Sequence, residues 1–439
     1  MFSHLGKQIR THIDSSTVLF CIYTIIAACS TYAFMYGFRK PVAVGLFQSA
    51  TWLGLSLKSL YLTAQILGYA LSKFIGIKVI SELRNQGRAK TIIFLVLVAW
   101  LALLGFAIAP APWNALFMVL NGLPLGMVWG VIFSYLEGRR VTEILAAGLC
   151  ASLIIASGLV KSLASILILD FGITEFWMPF VTATLFLPLL CFTVWMLDQI
   201  PPPNQDDIAA RCARVPMTKA DRIALLKLLG FGLTMLIIGY ILLTILRDLR
   251  DSFAADVFKA TGHEGSPALF TMTELPIALV VLVIIALSKL VRCNHTAMII
   301  NHLLIFIGFT ITLLSSVAYQ ASNLSTVSWM VLNGIGLYLA YVPFTTNLFE
   351  RLIATFNRPA NVGFLTYLAD SFGYLGTVAV MVYHSLNSNA SDWNTILREL
   401  GVLTGAIGSL LTLISLGYFI YKEKALKHSV QITQAQTYK

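Results

Sequence analysis

Long apolar runs separated by short polar segments dominate the chain. A helix needs about 20 apolar residues to cross the hydrocarbon core of a bilayer, and the runs of about this length or more lie at 17–47, 53–80, 91–109, 113–136, 143–168, 175–198, 223–247, 266–291, 296–318, 326–350, 360–384 and 394–421. These runs are too long and continuous for barrel strands, and only helices otherwise satisfy backbone polar groups in lipid. The pattern predicts an all-α membrane protein with twelve transmembrane helices, numbered here as spans 1 to 12.

The composition indicates the same class of protein. Of 439 residues, 58% are hydrophobic and 11% are charged, and the mean hydropathy is +0.81, whereas about a quarter of the residues in a soluble domain are charged. The polar N-terminal segment lacks the short apolar region and cleavage site of a secretory signal. The net charge of +10 does not require nucleic acid as a partner, because membrane proteins concentrate lysine and arginine in cytoplasmic loops.

Lysine and arginine are distributed unequally between the two sets of loops. The loops between spans 3 and 4, 5 and 6, and 9 and 10 contain neither residue. The opposite loops and the C-terminal tail contain Lys78, Arg84, Arg88, Lys90, Arg139, Arg140, Arg211, Arg214, Lys219, Arg222, Lys289, Arg292, Arg351, Arg358, Lys422, Lys424 and Lys427. The positive-inside rule therefore predicts that both termini are cytoplasmic, and we expect the membrane to be a bacterial inner membrane.

The two halves of the chain carry a repeated motif. The segments LNGLPLGMVWGVIFSYLEGRR (120–140) and LNGIGLYLAYVPFTTNLFERL (332–352) both begin with Leu-Asn-Gly and approach their ends with Glu and Arg. Two six-helix halves joined by a polar cytoplasmic linker are typical of the major facilitator superfamily, in which substrates bind near the membrane midplane between the halves. We expect a monomer with four parts: a six-helix bundle at 1–198, a linker at 199–222, a second bundle at 223–421 and a cytoplasmic tail at 422–439.

Two cations lie in the outer part of span 1. Arg39 and Lys40 end the segment YAFMYGFRK (32–40), and a charge inside a span costs about 3 kcal/mol. One interpretation is that these side chains snorkel to the outer headgroups. The other is that Arg39 faces a cavity opposite Arg247, which follows it by nearly the repeat offset. Two guanidiniums across a cavity would suit a divalent anion such as phosphate.

Three segments resemble the organophosphate:phosphate antiporters, which exchange glycerol phosphate or hexose phosphates and belong to the major facilitator superfamily. They are YGFRK in span 1, GYALSKF (68–74) in span 2 and SELRNQGR (81–88) directly after it. That family has an aromatic turn ending in Arg-Lys, a Ser-Lys-Phe segment and a Ser-Asp-Arg-x-Asn loop. The resemblance implies that Arg39 and Arg247 bind phosphate and that Lys73 supports them.

The sequence departs from this family at two points. The loop contains Glu82 and an additional Leu83, where the family has Asp and then Arg. Span 5 has Ser152 at the position of the family's histidine, and Lys161 follows later in the same span. These departures concern the identity of the substrate more than the mechanism of transport.

Other ionisable residues in the spans are also candidates for the site. Lys161 and Asp370 occupy comparable places in the repeat, and each could form an ion pair between helices or bind substrate or a proton. Asp251 follows Arg247 by one helical turn and could neutralise it. In that case Arg250 would be the cation that faces the cavity.

The remaining candidates are three glutamates and three tyrosines. Glu274 in span 8 corresponds to Gln65 in the repeat and could bind a proton, the substrate or Arg247. Glu137 and Glu350 each lie beside an arginine at a cytoplasmic helix end, and we expect them to form gating ion pairs. Tyr36, Tyr69 and Tyr341 could each donate a hydrogen bond to phosphate, or could be aromatic residues of the membrane interface.

These features predict a secondary transporter of a small anionic metabolite, working by alternating access as an organophosphate or phosphate exchanger. Two unpaired cations would make the empty cavity costly to occlude, and a bound anion would offset that cost, which favours exchange. The alternatives are a proton-coupled symporter of another small polar metabolite and a transporter-like sensor that does not transport. The sequence contains neither HExxH nor GxxxxGK[ST], and its six cysteines lack ligand spacing. We therefore predict no enzyme, cofactor or metal site.

Overall fold

Twelve long α-helices follow one another along the part of the chain that the structure describes. This computed structural model describes residues 10, 12–13, 16–47, 51–52, 55–81, 87–137, 139–203, 205, 207, 219–263, 266–288, 290–291, 293–346, 348–356, 362–386 and 392–437. The long helices are α1 Thr17–Met35, α2 Leu57–Ser81, α3 Arg88–Ile108, α4 Ala115–Leu136, α5 Thr142–Leu169, α6 Met178–Asp198, α7 Lys219–Ser252, α8 Ala268–Ser288, α9 Asn294–Gln320, α10 Thr326–Thr346, α11 Val362–Leu386 and α12 Trp393–Thr437. Short helices at Ala254–Ala260 and Leu348–Phe356 follow α7 and α10.

These helices correspond one to one to the predicted spans. Within the described residues, ten of them are long and apolar enough to cross a membrane. The other two, α2 and α11, have 25 residues each, which exceeds the length that a bilayer requires. The chain is therefore a multi-pass membrane protein, as its apolar pattern predicts.

The end of α1 differs from the prediction. Span 1 was expected to continue to Phe47, but the helix ends at Met35 and gives way to two 3-10 turns, Tyr36–Phe38 and Pro41–Ala43. Pro41 has no N–H group and cannot continue the hydrogen-bond ladder of an α-helix. Before α2, a two-residue antiparallel hairpin pairs Thr51–Trp52 (β1) with Leu55–Ser56 (β2), which the apolar pattern did not predict.

The first six helices pack mainly on one another, and so do the last six. Contact between the two sets is made largely through the helix pairs α2–α11 and α5–α8. These pairs are equivalent, since α2 and α8 are the second helices of their halves and α5 and α11 are the fifth. Such an arrangement is expected when two repeated bundles face each other across an approximate twofold axis.

Glycines allow close approach between helices within each half. A Cβ atom on Gly122 of α4 would lie 2.0 Å from the carbonyl oxygen of Gln65 in α2, and a Cβ atom on Gly336 of α10 would lie 2.6 Å from the carbonyl oxygen of Gly308 in α9. Small residues permit this close packing between membrane helices. The close packing of helices within each half thus requires glycine at these positions.

We expect Gly336→Ala to destabilise the protein by roughly 1–3 kcal/mol, because the added methyl group has a backbone carbonyl in its way. Gly417 of α12 is a matched control, since a Cβ atom there would meet nothing within 4 Å. Gly417→Ala should be neutral or stabilise the fold by up to about 1 kcal/mol through helix propensity. Thermal unfolding of both variants in detergent measures the difference, and equal midpoints would contradict the close packing of α9 on α10.

Candidate functional site

A cluster of charged side chains lies where the two halves meet. It comprises the cations Arg39, Lys40, Lys73, Lys161 and Arg247 and the carboxylates Asp248, Asp251 and Asp370. The first seven of these residues in chain order are 2–8% exposed, and the side chain of Asp370 is 14% exposed. We name these eight residues the central cluster. A buried charge in a membrane protein needs a partner or a function, so each of these eight residues is expected to have an ion pair or a role in binding.

The break in α1 places Arg39 inside the protein. Arg39 is 3% exposed, and its guanidinium carbon lies 3.9 Å from the centre of the Tyr69 ring of α2. One of its nitrogens donates a hydrogen bond to Oδ1 of Asp248 at 3.3 Å. The snorkelling interpretation is therefore wrong for Arg39, and also for Lys40, which is 5% exposed.

Asp251 binds two lysines from the first half. Its carboxylate forms ion pairs with Nζ of Lys40 and Nζ of Lys161, and it accepts a hydrogen bond from Ser157. Lys161 also donates to the backbone carbonyl of Asp251 at 2.6 Å. The prediction that Asp251 neutralises Arg247 is wrong, because these tertiary partners hold the carboxylate in place of the neighbour one turn away.

Arg247 lies among tyrosines. It donates a hydrogen bond to the hydroxyl of Tyr374 at 2.8 Å, and its guanidinium carbon lies 4.4 Å from the centre of the Tyr341 ring. Among the residues that the structure describes, no carboxylate oxygen lies within 4.0 Å of it. Arg39 and Arg247 approach the same Tyr374 ring, at 5.7 and 5.8 Å from its centre. The structure thus brings together the two arginines that the repeat singles out.

The hydrogen-bond partners of Arg250 lie outside the central cluster. It forms an ion pair with Glu274 of α8 at 2.8 Å and donates to the backbone carbonyl of Met330 at 2.9 Å. These partners belong to the second half, so the charge of Arg250 is balanced there. The alternatives in which Arg250 replaces Arg247, or in which Glu274 pairs with Arg247, do not agree with this geometry.

The contact between α2 and α11 adds a further ion pair to the cluster. Lys73 forms an ion pair with Asp370 at 3.0 Å, and the rings of Tyr69 and Tyr374 lie 4.8 Å apart. The hydroxyl of Tyr240 donates to Oδ1 of Asp370 at 2.5 Å. Lys161 and Asp370 are thus both in ion pairs between the halves, but with different partners and not with each other.

Three further candidates lie at or beyond the edge of the cluster. The Tyr36 ring lies 6.0 Å from Nζ of Lys40. Glu137 follows the last residue of α4, and Glu350 lies in the first turn of the helix Leu348–Phe356; their gating role remains a prediction. The loop containing Glu82 and Leu83 and most of the predicted linker lie outside the described residues.

Sequence analysis did not identify Asp248, Tyr240 or Tyr374. One signal was available for Tyr374, which follows Asp370 by four residues on α11, just as Lys73 follows Tyr69 on α2. Because α2 and α11 run antiparallel, Lys73 meets Asp370 and Tyr69 meets Tyr374. No local signal points to Asp248, because its partner Arg39 lies in the irregular turn after α1.

Comparison with known proteins places the sequence in a family. Residues 41–422 match a family of unknown function, DUF5690. The chain belongs to this family. None of the curated proteins matches the chain in sequence, so the family assignment does not bring a substrate with it.

The fold is similar to that of solved membrane transporters. A bacterial homologue of the human lysosomal transporter Spinster, in an inward-facing and unoccupied conformation, is 13% identical, with a TM-score of 0.61 over 92% of this chain and 97% of that one. The proton:xylose symporter XylE of the major facilitator superfamily is 14% identical, with a TM-score of 0.58 over 94% and 100%. The nucleoside transporter NupG is 14% identical, with a TM-score of 0.58 over 91% and 98%. The predicted major facilitator superfamily fold, with two six-helix halves, is thus confirmed.

A double-mutant cycle tests the partner of Asp251. We expect Lys161→Met and Asp251→Asn to be coupled by more than about 1 kcal/mol, because the ion pair is direct and buried. The matched cycle of Arg247→Met with Asp251→Asn should give a clearly smaller coupling energy, because the ion pairs of Asp251 in the described part of the chain are with Lys40 and Lys161. Reversible unfolding of the three single variants, the two double variants and the wild type in mixed micelles gives both values. A larger coupling in the Arg247 cycle would restore the pairing within α7.

Proposed function

We propose that this protein is an alternating-access transporter of a small anionic metabolite, and that it exchanges an organophosphate or phosphate. The supporting observation is the charge balance of the central cluster. Its five cations face three carboxylates, which leaves two positive charges in excess among the described residues. The neighbouring pair of Arg250 with Glu274 adds no net charge. A divalent anion between the halves would neutralise this excess.

The side chains around Tyr374 suit a phosphate group. Arg39 and Arg247 each offer a planar fork of N–H donors, which matches phosphate oxygens better than the ammonium group of lysine does. Their guanidinium carbons lie 5.7 and 5.8 Å from the centre of the same ring. A phosphate monoester has a charge of about −1.5 to −2 at neutral pH, which is close to the excess in the cluster.

The ion pair of Arg39 changes the sequence-based expectation for coupling between substrate binding and reorientation. That expectation assumed two unpaired cations in the empty cavity, but Arg39 has Asp248 as an internal partner at 3.3 Å. An incoming anion would therefore compete with Asp248 for Arg39, while Arg247 is available without such competition. We expect the empty carrier to reorient slowly, because the Arg247 guanidinium has no carboxylate within 4.0 Å among the described residues, and the loaded carrier to reorient faster.

The structural neighbours support transport as the general function, but their names include a xylose symporter and a nucleoside transporter. Because these solutes differ, the anionic substrate is argued here from side chains alone. We also infer that the chain acts as a monomer in a bacterial inner membrane, with both termini in the cytoplasm. The excess of lysine and arginine in one set of loops supports that orientation.

Counterflow in proteoliposomes tests the exchange. We expect phosphate loaded inside to accelerate the uptake of labelled phosphate or of a sugar phosphate at least tenfold over liposomes loaded with chloride, since only the loaded carrier reorients quickly. Uptake is measured by filtration with equal pH on both sides. Ligand binding without flux would favour the sensor, and equal uptake with either internal anion would contradict exchange.

Replacing each arginine by lysine tests the role of the guanidinium forks. Arg39→Lys and Arg247→Lys keep the charge but lose planar donor geometry, so we expect phosphate counterflow to fall by about 100-fold or more. Arg398→Lys is the matched control, because Arg398 contacts Glu399 at 3.9 Å and its side chain is 27% exposed. Normal counterflow in either site variant would remove that arginine from the binding site.

Proton-coupled symport is a second candidate, favoured by the surroundings of Asp370. This carboxylate is shared between Lys73 at 3.0 Å and the Tyr240 hydroxyl at 2.5 Å, in the contact between the halves. Protonation would release Lys73 and could accompany substrate across the membrane. An imposed inward proton gradient should then drive uptake into liposomes without internal substrate, whereas an exchanger should not respond in this way.

A further inference from the structure

The irregular turn after α1 leaves backbone carbonyls that need hydrogen-bond donors. The carbonyl oxygen of Phe38 accepts from the side-chain amide of Asn121 at 3.1 Å, and that of Arg39 accepts from the amide of Gln65 at 3.0 Å. These two donors come from α4 and α2. A carbonyl without a donor is costly inside a membrane protein, so the turn depends on side chains from neighbouring helices.

Gln65 and Asn121 also bind each other. The amide nitrogen of Gln65 donates to the side-chain oxygen of Asn121 at 2.7 Å, and Asn121 donates to the carbonyl of Ala99 in α3 at 3.0 Å. Both residues are buried, at 3% and 0% exposed. Their bonds therefore tie the backbone of residues 38 and 39 to three helices at once.

The described part of the second half carries the equivalent residues in a different arrangement. There α7 continues unbroken through Arg247 to Ser252, so its backbone needs no such donors at this level. Glu274, which corresponds to Gln65, binds the side chain of Arg250, and Asn333, which corresponds to Asn121, donates to Ser316 at 3.1 Å. These different partners explain why position 65 is a glutamine and position 274 is a glutamate. Gln65 must donate to two oxygens, which an ionised carboxylate cannot do.

We propose that Gln65 and Asn121 are positioning residues that fix the turn at residues 36–44 and thereby hold the guanidinium of Arg39 against Tyr69 at the substrate site. They do not contact the anion themselves. The geometry of the turn determines where Arg39 points, because Arg39 directly follows the carbonyl that Asn121 binds. Its consequence for transport rests on the proposed function, whereas its consequence for the turn does not.

Hydrogen–deuterium exchange tests the turn without any substrate. The amides of Arg39 and Lys40 donate to the carbonyl of Tyr36 at 3.0 and 2.9 Å, and that of Ala43 donates to Lys40 at 3.1 Å. Loss of the supporting bonds in Asn121→Ala should accelerate exchange in residues 36–44 about tenfold, the effect of roughly one buried hydrogen bond. The matched control is Asn333→Ala, which removes the equivalent amide and should leave this segment unchanged.

Unchanged exchange in residues 36–44 of Asn121→Ala would overturn the proposal, and so would equal acceleration by Asn333→Ala. If Asn121→Ala does not fold, Gln65→Met replaces it, since it removes both donated bonds while keeping the length of the side chain. The same two criteria then apply to Gln65→Met.

Transport kinetics test the link to Arg39. Misplacement of this guanidinium should raise the KM for phosphate about tenfold with a change in maximal rate below threefold, whereas a purely structural defect would lower the amount of active protein and leave KM unchanged. Gln65→Glu should have the stronger effect, because it places acceptors against two oxygens. An unchanged KM in all variants would overturn the link. If wild-type protein transports no anion, the proposed function fails, while the exchange experiment still decides the role of the two amides.

Discussion

The constraint that governs this protein is the cost of burying charge inside a membrane bundle. Buried cations remain stable only if carboxylates, aromatic rings or a ligand replace the water that they lose. Here four of the five cations of the central cluster form ion pairs with its three carboxylates across the junction of the two halves, and tyrosine rings cover the guanidiniums of Arg39 and Arg247 at 3.9 and 4.4 Å. These interactions hold the halves together. Because the cluster has two more cations than carboxylates, a net positive charge remains between the halves.

The near twofold repeat makes the differences between the halves informative. Equivalent helices pair across the junction as α2 with α11 and α5 with α8, yet Arg39 lies on an irregular turn and Arg247 on a continuous helix. The turn frees backbone carbonyls that two amide side chains satisfy, whereas the unbroken helix leaves the equivalent glutamate free to bind a guanidinium. The position of Arg39 thus depends on the backbone of the turn, whereas the position of Arg247 depends on the side chains around it.

Much of this architecture follows from the sequence, because span length and loop charge are imposed by the bilayer and do not depend on tertiary contacts. Arg39, Lys73, Arg247 and Asp370 could be singled out since a charge in a span is conspicuous. Their partners could not be deduced. Asp251 binds Lys40 and Lys161 from the other half and not its neighbour Arg247. Asp248 meets an arginine whose position depends on the end of α1 at Met35 and the irregular turn that follows. The spacing of residues along the sequence does not indicate either of these contacts.

The internal carboxylates change how coupling should be understood. If every cation had its own carboxylate, the empty protein could close as readily as the loaded one, and nothing would oblige it to exchange. If none had, the empty protein could not close at all. The observed state lies between these limits, because Asp248 and Asp251 neutralise Arg39, Lys40 and Lys161 in part, while Arg247 relies on tyrosines. If the protein exchanges anions as proposed, the strictness of coupling depends on how the binding free energy of the anion at the Arg39 guanidinium compares with that of Asp248. In such an exchanger, a change at Asp248 alone would shift the balance between strict exchange and leak.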